Sequence, residues 1–157
     1  MSAAPAPEDP SAPPTRRERR RARMLAFQTL FEMDVSGHQP AVVLQRLSGE
    51  IHARPSVFSY ARELVSGVIE HRRAIDERIA RLAPAWPIDQ MSAVDRNLLR
   101  LGMYETIHCS TTIPVGIAIS DAVELAKLYG SESSSRFVNG VLGRASSELD
   151  GRSADDL

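Results

Sequence analysis

Apolar residues recur every three or four positions along most of this 157-residue chain, and this spacing restricts the fold more than any other feature. The clearest run is Val115, Ala118, Ala122, Leu125 and Ala126, which places one apolar stripe along a helix. Strand-like alternation occurs only at positions 115–119, and the Ala and Leu positions that follow favour a helix there too. The pattern therefore predicts an all-α fold with six or seven helices.

Prolines and a change in composition divide the chain. Residues 1–15 are rich in Pro, Ala and Ser without apolar periodicity, so they bury too little surface to offset the entropy of ordering. Pro84 and Pro87 flank Trp86 near the midpoint and interrupt the helical pattern. The pattern does not decide whether the chain also bends near His71. We expect a disordered tail at 1–15, a single domain at 16–150 made of two packed helical subdomains (16–83 and 88–150), and a tail at 151–157.

Positive charge is concentrated at the start of the first predicted helix, in Arg16, Arg17, Arg19, Arg20, Arg21 and Arg23. With Glu18 this segment carries +5, and because the whole chain carries −1, the remaining residues carry −6. Four of the six, at positions 16, 19, 20 and 23, share the spacing of one helix face, where like charges repel. A polyanion would relieve that repulsion, so the cluster predicts a nucleic-acid contact. A solvated basic helix start is the alternative.

The sequence offers no constellation for catalysis or for a metal. Cys109 is the only cysteine, which excludes an intrachain disulfide, and the four histidines lack the spacing of metal ligands. Cys109 follows His108 directly, but adjacent helical residues point in different directions, so the pair is poorly placed to share a proton. There is no phosphate-binding glycine loop, membrane span or secretory signal. We therefore expect a cytoplasmic protein that is not an enzyme and needs no cofactor.

Two further places indicate binding. Arg136, Phe137 and Asn139 follow a serine-rich loop, where a cation, a ring and an amide could stack on and hydrogen-bond an unpaired base. A core position for Phe137 is equally compatible with the pattern. Asp95 follows the predicted N-cap Ser92 and is either a capping residue or an acidic contact for a basic protein partner.

Four blocks of sequence together resemble the NusB family of bacterial transcription antitermination factors. In order, they are RRRARMLAFQTLF (Arg19–Phe31), VDRNLLRLGMYE (Val94–Glu105), DAVELAKLYG (Asp121–Gly130) and RFVNGVLG (Arg136–Gly143). The resemblance implies an all-α fold with two helical subdomains. It also implies binding of single-stranded boxA RNA, notably in ribosomal RNA leaders, together with the small-subunit ribosomal protein NusE. The complex then joins RNA polymerase and suppresses premature termination.

The resemblance also implies roles for particular residues. RNA-binding positions of the family match Arg19, Arg20, Arg21, Arg23, Gln28, Arg136 and Phe137, and Asp95 stands where the family often has an acidic residue facing NusE. The sequence departs from the family pattern at Ser120, Asp121 and Gly143, none of which is one of the arginines. Family members exist as monomers or homodimers, and the sequence leaves both states open.

Two other interpretations compete with an RNA-binding adaptor. The arginines could meet an acidic protein surface, which would make the chain a protein-interaction module. NusB-like domains also occur in ribosomal RNA cytosine methyltransferases, but that reading requires a cofactor-binding domain after Leu157, which is not expected here.

Overall fold

The computed structural model describes residues 3–4, 9 and 12–155, with side chains through residue 151. It contains six α-helices: α1 Arg16–Ser36, α2 Pro40–Glu50, α3 Pro55–Leu82, α4 Ala93–His108, α5 Val115–Tyr129 and α6 Ser134–Asp155. One turn of 3₁₀ helix, Ile88–Gln90, joins α3 to α4. The described part of the chain has no strand, so the predicted all-α fold is confirmed. Most of the predicted tail at 1–15, and residues 156–157, lie outside the described residues.

Local capping fixes where the arginine-rich helix begins and ends. The Thr15 hydroxyl accepts a hydrogen bond from the Glu18 amide at 3.2 Å, and Glu18 Oε1 accepts one from the Thr15 amide at 3.1 Å. This reciprocal pair satisfies two amide groups that the first turn leaves unpaired. At the other end Gly37 adopts φ 69°, the left-handed conformation that ends helices and favours glycine. The basic cluster therefore lies in the first two turns of a defined helix.

Helix α4 lies at the centre of the packing and contacts α1, α3, α5 and α6. Its buried positions include Leu98, Leu99, Leu101 and Met103, which join one core with residues from all the long helices. Helix α3 runs unbroken for 28 residues, so the chain does not leave the helix near His71. Helix α6 continues past the predicted domain end at 150. The division into two subdomains stays a prediction.

Gly67 makes room for the Tyr104 ring where α3 packs against α4. A Cβ atom at this position would lie 2.1 Å from Cζ of Tyr104 on α4. By contrast, a Cβ at Gly143, inside α6, would have no neighbour within 4 Å. The first glycine is therefore required by packing and the second is not.

We expect Gly67→Ala to destabilise the fold by roughly 1–3 kcal/mol, because the Tyr104 ring and the two helices must shift to admit the methyl group. Gly143→Ala is the matched control and should stabilise by up to about 1 kcal/mol, because alanine is the better helix former. Urea unfolding of both variants measures the difference. Equal stability of the two variants would contradict the close helix contact.

Candidate nucleic-acid interface

The first turns of α1 present most of the arginine cluster to solvent. Arg20 keeps 57% of its side chain exposed. Arg19 is half-buried, and its Nη1 donates to the carbonyl of Pro14 at 3.0 Å, whereas Arg21 Nη2 donates to the carbonyl of Ile51 at 3.3 Å. These contacts hold two side chains along the helix without neutralising their charge. The exposed members of the cluster are Arg16, Arg17, Arg20 and Arg21.

Arg23 corrects the expectation from the sequence, because its side chain lies inside the protein and is 1% exposed. Its Nε donates to Oε1 of Glu105 at 2.7 Å and to Oε2 at 2.9 Å, and its Nη1 donates to Oδ2 of Asp121 at 2.6 Å. At this position the arginine-bearing face of α1 points into the protein, between α4 and α5. Arg23 is therefore a structural cation and not a surface contact for RNA.

Arg23, Glu105 and Asp121 form a buried ion network beneath the exposed arginines. Burial alone would lower the pKa of Arg23, but the hydrogen bonds and charge of Glu105 outweigh it and hold the pKa above its ordinary value. Tyr60 donates to Glu105 Oε2 at 3.2 Å, and burial, followed by the Glu105 charge, raises the pKa of this phenol. Two carboxylates face one buried guanidinium, and the exposed Arg20 lies 4.0 Å from Asp121.

A groove between α1 and α5, the α1–α5 groove, lies beside the exposed arginines. It has a volume of about 320 Å³, within the range of small-molecule sites. Apolar side chains of both helices lie next to the guanidinium groups, and one of them, Leu128, is 66% exposed. The lining residues used below are Arg20, Arg21, Met24, Glu124, Leu125 and Leu128.

A second groove, the α5–α6 groove, lies on the other side of α5. Arg136 and Asn139 are exposed and line it together, as their spacing of three residues on a helix requires. Lys127 lines the same groove from α5, and the apolar spacing of α5 gives no indication of this position. Its position as the only lysine of the chain was the available signal.

Phe137 points away from Arg136, into a groove that we call the tryptophan groove. Phe137 is half-buried and packs against the core, while Trp86 in the same groove is 57% exposed. Asp95 also lines this groove, and its backbone amide donates to the Ser92 hydroxyl at 3.1 Å. The sequence suggested a cation, a ring and an amide at one place. The structure instead separates the ring from Arg136 and Asn139 and brings it to Asp95.

Gln28 is not part of either arginine-lined groove. Its Nε2 donates to the Tyr129 hydroxyl at 2.7 Å, and it lines an apolar groove with Phe27, Phe31 and Val35. The structure therefore does not bring Gln28 to the exposed arginines, and an RNA contact by this residue stays a prediction.

The described residues contain no group of three or more potential metal ligands. His71 and His108 stack with ring centroids 4.0 Å apart, a ring contact and not a ligand set. Burial raises the pKa of the half-buried Cys109 thiol, which disfavours the thiolate. Among these residues no helix has the length and apolarity to cross a membrane.

These features define an all-α fold in which the first helix begins with a row of exposed arginines. Residues 20–147 match the model of the NusB family, and the chain belongs to that family. The transcription antitermination protein NusB of Dehalococcoides mccartyi (strain CBDB1) is 44% identical over 131 residues, which cover 83% of this chain and 91% of the relative.

Solved structures share the fold. One is a crystal structure of antitermination factors NusB and NusE in complex with dsRNA, with a TM-score of 0.78 and 32% identity, covering 85% of this chain and 99% of that chain. Another is NusB of T. maritima, with a TM-score of 0.77 and 35% identity, covering 83% of this chain and 91% of that chain. The family resemblance found in the sequence is thereby confirmed.

Proposed function

We propose that this protein is a transcription antitermination factor that binds single-stranded boxA RNA together with NusE, in nascent transcripts such as ribosomal RNA leaders. The observation that carries the proposal is the row of exposed arginines at the start of α1, in a chain that belongs to the NusB family. A similar chain occurs in a structure of NusB and NusE with dsRNA, which supports NusE and RNA as classes of partner, while the single-stranded boxA element is implied by the family resemblance.

The exposed arginines supply the electrostatic part of the contact. Guanidinium groups bind phosphate oxygens bidentately and release counterions from the polyanion, which gives affinity without sequence preference. The exposed Arg16, Arg20 and Arg21 take this role on α1 together with the half-buried Arg19, and the exposed Arg136 takes it on α6. Arg23 donates its hydrogen bonds to the buried carboxylates of Glu105 and Asp121. In this proposal it holds the helix in place beneath the exposed arginines and makes no RNA contact.

In this proposal, bases are recognised by polar and aromatic side chains of α6. Single-stranded bases stack on aromatic rings and present their hydrogen-bonding edges to side chains. Phe137, next to the exposed Trp86, takes the stacking role in this proposal, and Asn139 supplies an amide in the α5–α6 groove.

NusE is the proposed protein partner, and Asp95 is its proposed contact. The tryptophan groove places this carboxylate beside Trp86, a residue type that is enriched at protein interfaces. Because Asp95 and Phe137 line one groove, the proposed protein and RNA contacts adjoin. The pair would join RNA polymerase in the cytoplasm as a non-catalytic adaptor.

Binding of a boxA RNA and of a scrambled RNA of equal length, each with and without NusE, tests the proposal. We expect a preference for boxA of at least tenfold, strengthened by NusE, because mismatched bases lose the hydrogen bonds of the recognition site. Fluorescence anisotropy at two salt concentrations measures both affinities. Equal affinity for the two RNAs, unchanged by NusE, would contradict the proposal and favour the alternative of an acidic protein partner for the arginines.

A further inference from the structure

Glu124 lies where the two arginine-lined grooves meet. It lines the α1–α5 groove beside Arg20 and Arg21, and it also lines the α5–α6 groove with Arg136 and Asn139. The proposed RNA contacts therefore lie on both sides of α5. The most direct path for a strand between the two sets crosses α5 at this carboxylate.

The Glu124 side chain is free to meet a ligand. It is 53% exposed, and its Oε1 lies 3.3 Å from Nζ of Lys127, a surface pair of the kind that contributes little stability. Asp121, one turn earlier on α5, differs because its carboxylate is buried and accepts from Arg23. The accessible acceptor in the α1–α5 groove is therefore Glu124.

A carboxylate beside a phosphate chain is unfavourable, so it must face a base and not the backbone. The surroundings fit that arrangement: Met24, Leu125 and Leu128 offer apolar contact for a base, and the guanidinium groups of Arg20 and Arg21 can hold the flanking phosphates. An ionised carboxylate only accepts hydrogen bonds. It therefore pairs with the exocyclic amino group of cytosine and is repelled by the carbonyl oxygen that uracil carries at the same position.

We propose that Glu124 is a base-reading residue that accepts a hydrogen bond from the exocyclic amino group of a base in the α1–α5 groove, favouring cytosine over uracil. This inference rests on the proposed RNA-binding function and adds a specificity determinant to it. Lys127 then contacts the RNA backbone where the strand crosses α5, because its ammonium can turn from Glu124 to a phosphate.

The test compares binding of the full chain to single-stranded oligo(C) and oligo(U) RNA of twelve nucleotides at pH 7.5. We expect the wild-type protein to bind oligo(C) roughly tenfold more tightly, the effect of one hydrogen bond to a charged group. Glu124→Gln should reduce the ratio of the two dissociation constants to about one, because an amide both donates and accepts and thus pairs with either base.

Glu77→Gln is the matched control. Glu77 is an exposed glutamate of α3 that pairs with Arg73 at 3.5 Å, so its loss changes the net charge equally at a distance from both grooves. It should leave the preference for oligo(C) intact. A ratio near one in the wild type, or an equal ratio in the wild type and Glu124→Gln, would overturn the inference while leaving RNA binding in place. Failure of the wild type and both variants to bind either homopolymer, or boxA RNA with NusE present, would instead overturn the proposed function along with it.

Discussion

Arg23→Met should destabilise the fold by about 3–5 kcal/mol, because it leaves two buried carboxylates without their cation. Glu105 and Asp121 both accept hydrogen bonds from this guanidinium, and the Glu105 side chain is as deeply buried as that of Arg23. Methionine retains most of the apolar contacts of the arginine stem, so the change isolates the loss of charge and hydrogen bonds. Chemical denaturation measures the free energy of unfolding.

Arg17→Met is the control on the same helix, since Arg17 is exposed and its replacement should change stability by less than about 0.5 kcal/mol. Adding Glu105→Gln and Asp121→Asn to Arg23→Met should recover part of the lost stability, because no unpaired charge then stays buried. If Arg23→Met matched Arg17→Met in stability, the buried ion network would not hold α1 against α4 and α5.

The second large effect concerns RNA affinity. Arg20→Ala with Arg21→Ala should weaken binding of single-stranded RNA roughly 100-fold at low salt, because two charge-assisted contacts to phosphate are lost. The fold should persist, because both side chains are exposed. Arg72→Ala with Arg73→Ala removes two adjacent arginines from α3 and changes the net charge equally, so it separates a local contact from a general charge effect. Titration of labelled RNA with each double variant measures the affinities.

The helices could be predicted from the sequence because their signals are local. Apolar spacing marked each helix, Ser92 was correctly expected as the N-cap of α4, and the run after Val115 formed a helix despite its brief alternation. These signals act within a few residues, which is the range over which helix propensity and capping operate.

The fate of Arg23 could not be predicted from the sequence, because its partners are distant along the chain. Glu105 lies 82 positions away and Asp121 lies 98 positions away. The spacing of the arginines predicted that they share one helix face. It did not predict that Arg23, the last of them, points into the protein. The only local sign was that Arg23 stands among apolar residues, with Ala22 before it and Met24, Leu25 and Ala26 after it.

The grouping around α6 also depended on tertiary structure. Arg136 and Phe137 are adjacent in sequence, yet with 3.6 residues in each turn they face different grooves. Pattern reasoning placed them together, whereas the packing of α6 against its neighbours assigns the ring to Asp95. Which partners these surfaces meet was indicated by the family resemblance and not by composition or spacing.

The salt dependence of RNA affinity tests the central claim most directly. If about three phosphates are neutralised on a single strand, log K against log salt concentration should have a slope near −2 for the wild-type protein. The Arg20→Ala/Arg21→Ala variant should have a slope shallower by about 1.4, because two of the arginines that contact phosphate are removed. The same slope in both proteins would show that the start of α1 does not bind the RNA backbone.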